Sequence, residues 1–314
     1  MKYAFVFPGQ GSQQIGMGLD LYQNFKAAKD VFDEVDDALN QNLFKLMTEG
    51  PSNELTLTSN AQPAIMAVSM AVINVLQKEF SLDLKSKLSY VAGHSLGEYA
   101  AACTSGVFCL ADTAKLLRLR GDSMQKAVPL GVGGMAAILG LSFNDIDALI
   151  EASLEPNKCC VAANDNAEGQ IVLSGHLSVL EKAIEIAPEF GAKRALMLPV
   201  SAPFHSPLMA PAETIMAKAL KKVKTSEPQI KLISNFTADV SSSKDEIVEN
   251  LIKQITGRVR WRETIDFLSQ EGITDIIEIG FSNVLSNMIK RSNKDIFTTS
   301  IGTVEQIEEL VNNL

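Results

Sequence analysis

Five residues, Gly93-His94-Ser95-Leu96-Gly97, place a serine in the pattern G-x-S-x-G. They directly follow the strand-like run Ser89-Tyr90-Val91-Ala92 and precede a helical pattern that begins near Glu98. A serine on so sharp a strand-to-helix turn needs very small neighbours two residues away on each side, because a Cβ there would collide across the turn. Such a turn exposes Ser95 Oγ at the positive end of a helix, and the N–H of Leu96 can then donate to an oxyanion. The chemistry this suits is nucleophilic: Ser95 takes up an acyl group and a second nucleophile removes it.

A serine nucleophile needs a base, and the chain offers three histidines, His94, His176 and His205. His94 adjoins the nucleophile and points away from it on the turn, and His176 opens a helical stretch, where capping or surface exposure suffices to explain it. Elimination leaves His205, held in the proline-rich segment Val200-Ser201-Ala202-Pro203-Phe204-His205-Ser206-Pro207. No aspartate stands out to orient it, so a backbone carbonyl is the alternative. Arg120 is the next informative residue. In the helical pattern 111–127 it falls with Leu116, Leu117 and Met124 on the apolar side, away from Lys115, Arg118, Asp122 and Lys126. It either snorkels to the helix edge or presents its planar fork to a substrate carboxylate. Gln254 lies on the face of Ile247 and Leu251, so it braces either a site or only the fold.

The elements that must position these residues read as α/β. Ala4–Phe7 is a strand, followed by the turn Pro8-Gly9-Gln10-Gly11-Ser12, whose Gln10 N–H is placed to be a second oxyanion donor. Position 14 is glutamine, so the dinucleotide fingerprint fails. Helical patterns cover Asp30–Leu39, Ala64–Phe80 and Glu246–Ile255, and strands Ile230–Ser234 and Thr274–Ile279. Between them runs strand Met135–Leu139, helix Phe143–Ser153, strands Cys159–Ala163 and Gln170–Leu173 joined through the turn-rich Asn164-Asp165-Asn166, helix Val179–Phe190 and strand Arg194–Leu198. That order, β-α-β-β-α-β, is the split unit of ferredoxin-like domains. It predicts a small domain over 127–198 inserted into a large α/β domain formed by 1–126 and 199–314.

Formal net charge is -9, which argues against nucleic acid as a partner. No stretch approaches the ~18 uninterrupted apolar residues of a membrane span. The segment Met1–Pro8 is too short to be a signal peptide and reads as a first strand, which predicts a cytoplasmic protein. Cys103, Cys109, Cys159 and Cys160 show no metal-like spacing, and read as small buried side chains in a reducing compartment. Arg258-Val259-Arg260-Trp261-Arg262 is a local basic run, either a solvated face or a docking patch for an acidic partner.

With these residues assembled, nearly the whole chain resembles the malonyl-CoA:acyl carrier protein transacylase family of bacterial fatty-acid synthesis. The resemblance rests on Phe7-Pro8-Gly9-Gln10-Gly11-Ser12-Gln13, Gly93-His94-Ser95-Leu96-Gly97-Glu98-Tyr99 and Leu119-Arg120-Gly121. It continues through Gly133-x-Met135-Ala136-Ala137-Ile138-Leu139-Gly140, Gly169-Gln170-Ile171-Val172-Leu173-Ser174-Gly175, and Pro199-Val200-Ser201 with Phe204-His205. It implies an α/β-hydrolase-like large domain with a ferredoxin-like insertion. By the same resemblance Ser95 is the acylated nucleophile, His205 its base, and the N–H groups of Gln10 and Leu96 the oxyanion hole. Arg120 is then the malonyl clamp, and Gln254 the residue whose main-chain carbonyl orients the histidine. Phe204 is similar to the malonyl-selective version. The family's Asn-Pro-Val-x-Trp element stands here as Gly257-Arg258-Val259-Arg260-Trp261, a departure beside Gln254.

The implied reaction moves malonyl from malonyl-CoA to the phosphopantetheine thiol of acyl carrier protein through a malonyl-serine. It needs no metal and no cofactor, coenzyme A thioester being the substrate. Malonyl-CoA and acyl carrier protein are the expected partners, with no nucleic acid and no membrane, and a monomer is expected. Arg258–Arg262 together with Lys193 and Arg194 are candidate docking charges for an acidic carrier protein. A serine esterase or thioesterase shares the elbow but gives Arg120 no role. A non-catalytic carrier-protein-binding scaffold has no reason to keep Ser95, Arg120 and His205 together.

Overall fold

The structure is a computed structural model that describes residues 3–200 and 202–313; Ser201, part of one quoted motif, lies outside them. Two sheets organise the chain. The larger has six strands in the order β10-β9-β1-β2-β7-β8, with β1 at Tyr3–Phe7, β2 at Leu88–Gly93, β7 at Lys231–Ile233, β8 at Val240–Ser241, β9 at Asp275–Ile279 and β10 at Phe297–Ile301. All its pairings are parallel except that of the edge strand β8 with β7. The second sheet is antiparallel, in the order β4-β5-β3-β6, with β3 at Gly133–Leu139, β4 at Cys160–Ala167, β5 at Gln170–His176 and β6 at Arg194–Met197.

The continuous apolar run of β1 follows from its central place. A strand of a parallel sheet is covered on both faces, so both sets of alternating side chains are apolar. Phe5 and Phe7 join the cluster beneath one face, with Phe32, Met66 and Tyr99. Ala4 and Val6 join the cluster on the other, with Trp261 and Ile265. Full burial of one such phenylalanine is worth about 1.5–3 kcal/mol. The antiparallel sheet has its own core of Ile138, Leu173, Ile146, Leu149 and Val179, under helices Phe143–Ser153 and Leu177–Ile186.

Helix Thr58–Lys78 passes a membrane-span test of length and composition, but 89% of its most apolar window is buried in the protein. It packs against Lys26–Leu39 and Leu110–Lys126 as a core helix.

The segment Asn164-Asp165-Asn166 corrects the sequence reading. It is not the turn of the hairpin but the second half of β4, carried through two register shifts to Ala167. The turn falls at Glu168 and Gly169, where φ of Gly169 is 68°. Turn-forming side chains tolerate strand geometry here because the large sheet's side of the molecule supplies their partners. Asp165 N donates to Val259 O at 3.0 Å and Val259 N to Ala163 O at 2.8 Å. The Asp165 carboxylate takes donors from Arg262, and Asn166 Oδ1 sits 2.8 Å from His94 Nε2. Tertiary pairing outweighs local propensity. Strand β10 and helices Ala210–Leu220, Trp261–Gln270, Val284–Ser292 and Val304–Asn313 were not anticipated from sequence.

Candidate active site

The elbow sits where β2 ends and helix Gly97–Thr104 begins, at the carboxyl edge of the parallel sheet, where open α/β sheets bind ligands. Ser95 has φ 53°, a left-handed conformation that costs a serine on the order of 1 kcal/mol or more unless the surroundings impose it. They do. A Cβ on Gly93 would lie 2.0 Å from the carbonyl carbon of Gly97, and one on Gly97 would lie 2.2 Å from Phe7 O. Only glycine at both positions lets the turn close against β1. Asn235, just beyond β7, props it from below: its Oδ1 accepts from Ser95 N at 2.7 Å and its Nδ2 donates to Gly93 O at 2.6 Å.

His205 reaches the nucleophile from the buried turn 202–206, itself in the left-handed region at φ 57°. Its Nε2 lies 2.7 Å from Ser95 Oγ and its Nδ1 2.8 Å from Gln254 O. A carbonyl only accepts, so Nδ1 carries the proton and Nε2 of the neutral ring offers its lone pair to the serine. Burial first, then the nearby Arg120 guanidinium, pushes this imidazole down to about 3, which keeps it neutral and able to accept. The carbonyl that orients it replaces the aspartate absent from the sequence pattern.

Arg120 is 1% exposed and does not snorkel. Its Nη2 donates to Ser95 Oγ at 3.0 Å and to Gln254 Oε1 at 2.8 Å, and its Nη1 to Gln62 Oε1 at 3.0 Å. Gln254 thus serves twice, with its main chain on His205 and its side chain on Arg120. Gln10 and Leu96 line the same cavity, and among the described residues neither backbone N–H donates to a protein acceptor. The cavity holds about 330 Å³, and its surface is mainly apolar, with contributions from Met124, Met135, Val172, Leu198, Phe204 and Met288. A serine hydroxyl bonded to a neutral histidine, two N–H donors and a buried cation fit acyl transfer from an activated carboxylate-bearing donor.

Three comparisons with known proteins bear on this site. The acyl transferase domain family model matches residues 4–310. The malonyl CoA-acyl carrier protein transacylase of Bacillus subtilis is 43% identical over 313 residues, covering 100% of this chain and 97% of that one. The chain belongs to this acyltransferase family. Among solved structures, an acyl-carrier-protein-S-malonyltransferase from Bartonella henselae superposes on the acyltransferase with a TM-score of 0.97 at 51% identity, covering 100% and 99% of the two chains. A malonyl-transacylase solved in complex with a type II PKS acyl-carrier protein gives 0.96 at 35% identity, covering 100% of each.

Other residues of the acyltransferase fall less close to expectation. His94 does point away from Ser95, onto Asn166 and edge-on to Trp261. His176 stands at the N-cap position of helix Leu177–Ile186 without a side-chain capping bond, its Nδ1 instead accepting from Cys159 N. The cysteines are free, but only Cys160 is buried; Cys109 is exposed, and Cys103 and Cys159 lie between. The basic run is not an open patch. Arg258 and Arg260 share Glu263, Arg262 is paired with Asp165 and Asp266, and Arg258 also stacks over Phe143 at 4.4 Å. Lys193 and Arg194 are exposed. Sequence reasoning missed Gln62, Asn235 and the role of Glu98. Asn235 carried a readable signal, a polar residue just past a strand end at the site edge. Gln62 carried a weaker one, a polar residue at the start of an apolar helix.

Proposed function

We infer that this protein transfers malonyl from malonyl-CoA to the phosphopantetheine thiol of acyl carrier protein, supplying fatty-acid elongation. The observation that carries the reading is the meeting of three groups at one oxygen: Ser95 Oγ donates to neutral His205 and accepts from buried Arg120. The relatives named for malonyl transfer and the relative solved with its carrier protein support the same substrates.

His205 Nε2 takes the proton as Ser95 Oγ attacks the thioester carbonyl. The oxyanion forms against the N–H groups of Gln10 and Leu96, each such donor being worth ~10²–10³ in rate. The carbon–sulfur bond breaks, and the coenzyme A sulfur leaves with the proton returned from His205. The carrier thiol then gives its proton to His205 and attacks the malonyl-serine ester; the acyl carbon–Oγ bond breaks, and His205 returns the proton to Ser95 Oγ. Arg120 pairs with the malonyl carboxylate, and an acetyl donor leaves its charge buried without that partner.

The reading assigns no metal and no cofactor, and places the enzyme in the cytoplasm as a monomer. It takes the large unit, 1–126 with 199–314, as α/β-hydrolase-like and 127–198 as a ferredoxin-like insertion; the antiparallel order β4-β5-β3-β6 supports the latter. Docking of the acidic carrier is assigned to Lys193 and Arg194, since the Arg258–Arg262 run is internally neutralised.

Intact-protein mass spectrometry after brief mixing with malonyl-CoA tests the reaction. A malonyl adduct is expected on the wild type, none on Ser95→Ala, and little from acetyl-CoA. Arg120→Ala should lower the malonyl-to-acetyl acylation ratio by at least about 10³. Free malonate without an adduct would mean a hydrolase, and an unchanged ratio would remove Arg120 from the carboxylate.

A further inference from the structure

Behind the elbow lies a carboxylate that the transfer chemistry does not use. Glu98, in the first turn of helix Gly97–Thr104, is 0% exposed. Its Oε2 accepts from Gln254 Nε2 at 2.7 Å and from Asn235 N at 3.0 Å, while Oε1 makes no hydrogen bond. A buried carboxylate has a high cost unless it secures something, and its two donors are the residues that hold the reacting groups. Asn235 props the elbow through Ser95 N and Gly93 O. Gln254 supplies the carbonyl for His205, the oxygen for Arg120, and an N–H to Ser95 O at 3.0 Å.

We propose that Glu98 is a positioning residue whose single oxygen Oε2 ties Gln254 to Asn235, and so holds Ser95, His205 and Arg120 in one geometry. The inference rests on the transfer reading above and deepens it. The tie joins two separate elements, since Gln254 ends helix Lys244–Gln254 and Asn235 follows β7. Remove the acceptor and two buried N–H groups lose their partner together. The Gln254 amide is then held only by Arg120, Ser95 O and a 3.5 Å contact to Asn235 Oδ1. The tie needs an acceptor rather than a charge. Burial raises the Glu98 carboxyl to about 7, against the pull of Gln254, Asn235, Ser234 and Arg120, and a protonated carboxyl still accepts at Oε2.

The test is the rate of Ser95 malonylation and acetylation at saturating thioester, with KM and thermal unfolding measured beside it, in Glu98→Leu, Glu98→Gln and Glu98→Asp. Glu98→Leu should lose about 10²-fold in malonylation rate, with a smaller change in KM and a reduced malonyl preference. Glu98→Gln, which keeps an acceptor oxygen, should recover most of that loss. Glu98→Asp keeps a carboxylate but withdraws it by one methylene, and should fall below Glu98→Gln; it decides the matter where Glu98→Leu does not fold. A folded Glu98→Leu or Glu98→Asp protein acylated at the wild-type rate with wild-type preference overturns the proposal, as does Glu98→Gln no better than Glu98→Leu. Absence of any adduct on the wild type would instead sink the transfer reading itself.

Discussion

The elbow Gly93–Gly97 and the seam Gly257–Arg262 meet where His94 of the first lies edge-on to Trp261 of the second, and they encode structure in opposite ways. At the elbow, sequence neighbours determine geometry: two glycines and a serine within five residues leave one way to turn. At the seam, geometry is determined by partners far along the chain. Val259 pairs with Ala163 and Asp165, and Arg262 with Asp165, 97 residues away. The first region can be read as a motif. The second reads as three like charges, when each is paired with a carboxylate in the fold. A motif is legible when its constraint is covalently local, and illegible when the constraint is a long-range pairing.

The same division runs through the rest of the molecule. Ser95, His205 and Arg120 were readable because each is anomalous in its own neighbourhood: a serine in a glycine turn, a histidine among prolines, an arginine on an apolar helix face. Gln10 and Leu96 followed from the turns they occupy. Gln62, Asn235 and Glu98 are ordinary polar residues until a neighbour from another element arrives. Asn164–Asn166 mislead in the same way, since their turn-like composition is overruled by partners beyond β4. Glu263 did carry a clue, standing three residues after Arg260 at helical spacing, where a pair forms locally.

The largest expected effect is at the elbow. Gly97→Ala puts a Cβ 2.2 Å from Phe7 O, and that carbonyl is itself held by His94 N at 2.9 Å. Backbone of a central strand cannot step aside as a flexible side chain would, so stability should fall by at least about 3 kcal/mol, the upper end of ordinary overpacking. Chemical unfolding reads this directly. A variant as stable as the wild type and fully acylated would show that the elbow's local constraint is softer than its geometry.

A smaller effect is expected at the seam. Arg262→Gln leaves the Asp165 carboxylate, 2% exposed, without its ion-pair partner, while Arg262 itself is 26% exposed. Breaking a fully buried pair costs about 3–5 kcal/mol, and partial exposure of the arginine reduces this to roughly 1–3 kcal/mol. Adding Asp165→Asn should return part of the loss, because no buried charge then remains unpaired. Malonylation should fall by less than about tenfold in either protein, since Ser95, His205, Arg120 and Gln254 reach one another without the seam's side chains. A loss comparable with that of Arg120→Ala would merge the two regions into one functional unit.

The smallest effect concerns the surface, where the two kinds of cation can be told apart. Lys193 and Arg194 are exposed and enter no ion pair among the described residues, whereas Arg258 and Arg260 are spent on Glu263. Free cations steer an acidic partner over a Debye length of about 10 Å at 0.1 M salt, and paired ones contribute little field. Lys193→Glu with Arg194→Glu should therefore raise the carrier-protein KM several-fold at low salt, and the effect should fade as salt is added. Its malonyl-CoA half-reaction, which does not involve the carrier, should keep its rate. Arg258→Gln should leave the carrier KM nearly unchanged and register instead in thermal stability, through the lost stacking on Phe143. If Arg258→Gln raised the carrier KM as much as the double reversal, the seam would be a docking surface after all, and internal pairing would not have silenced its charge.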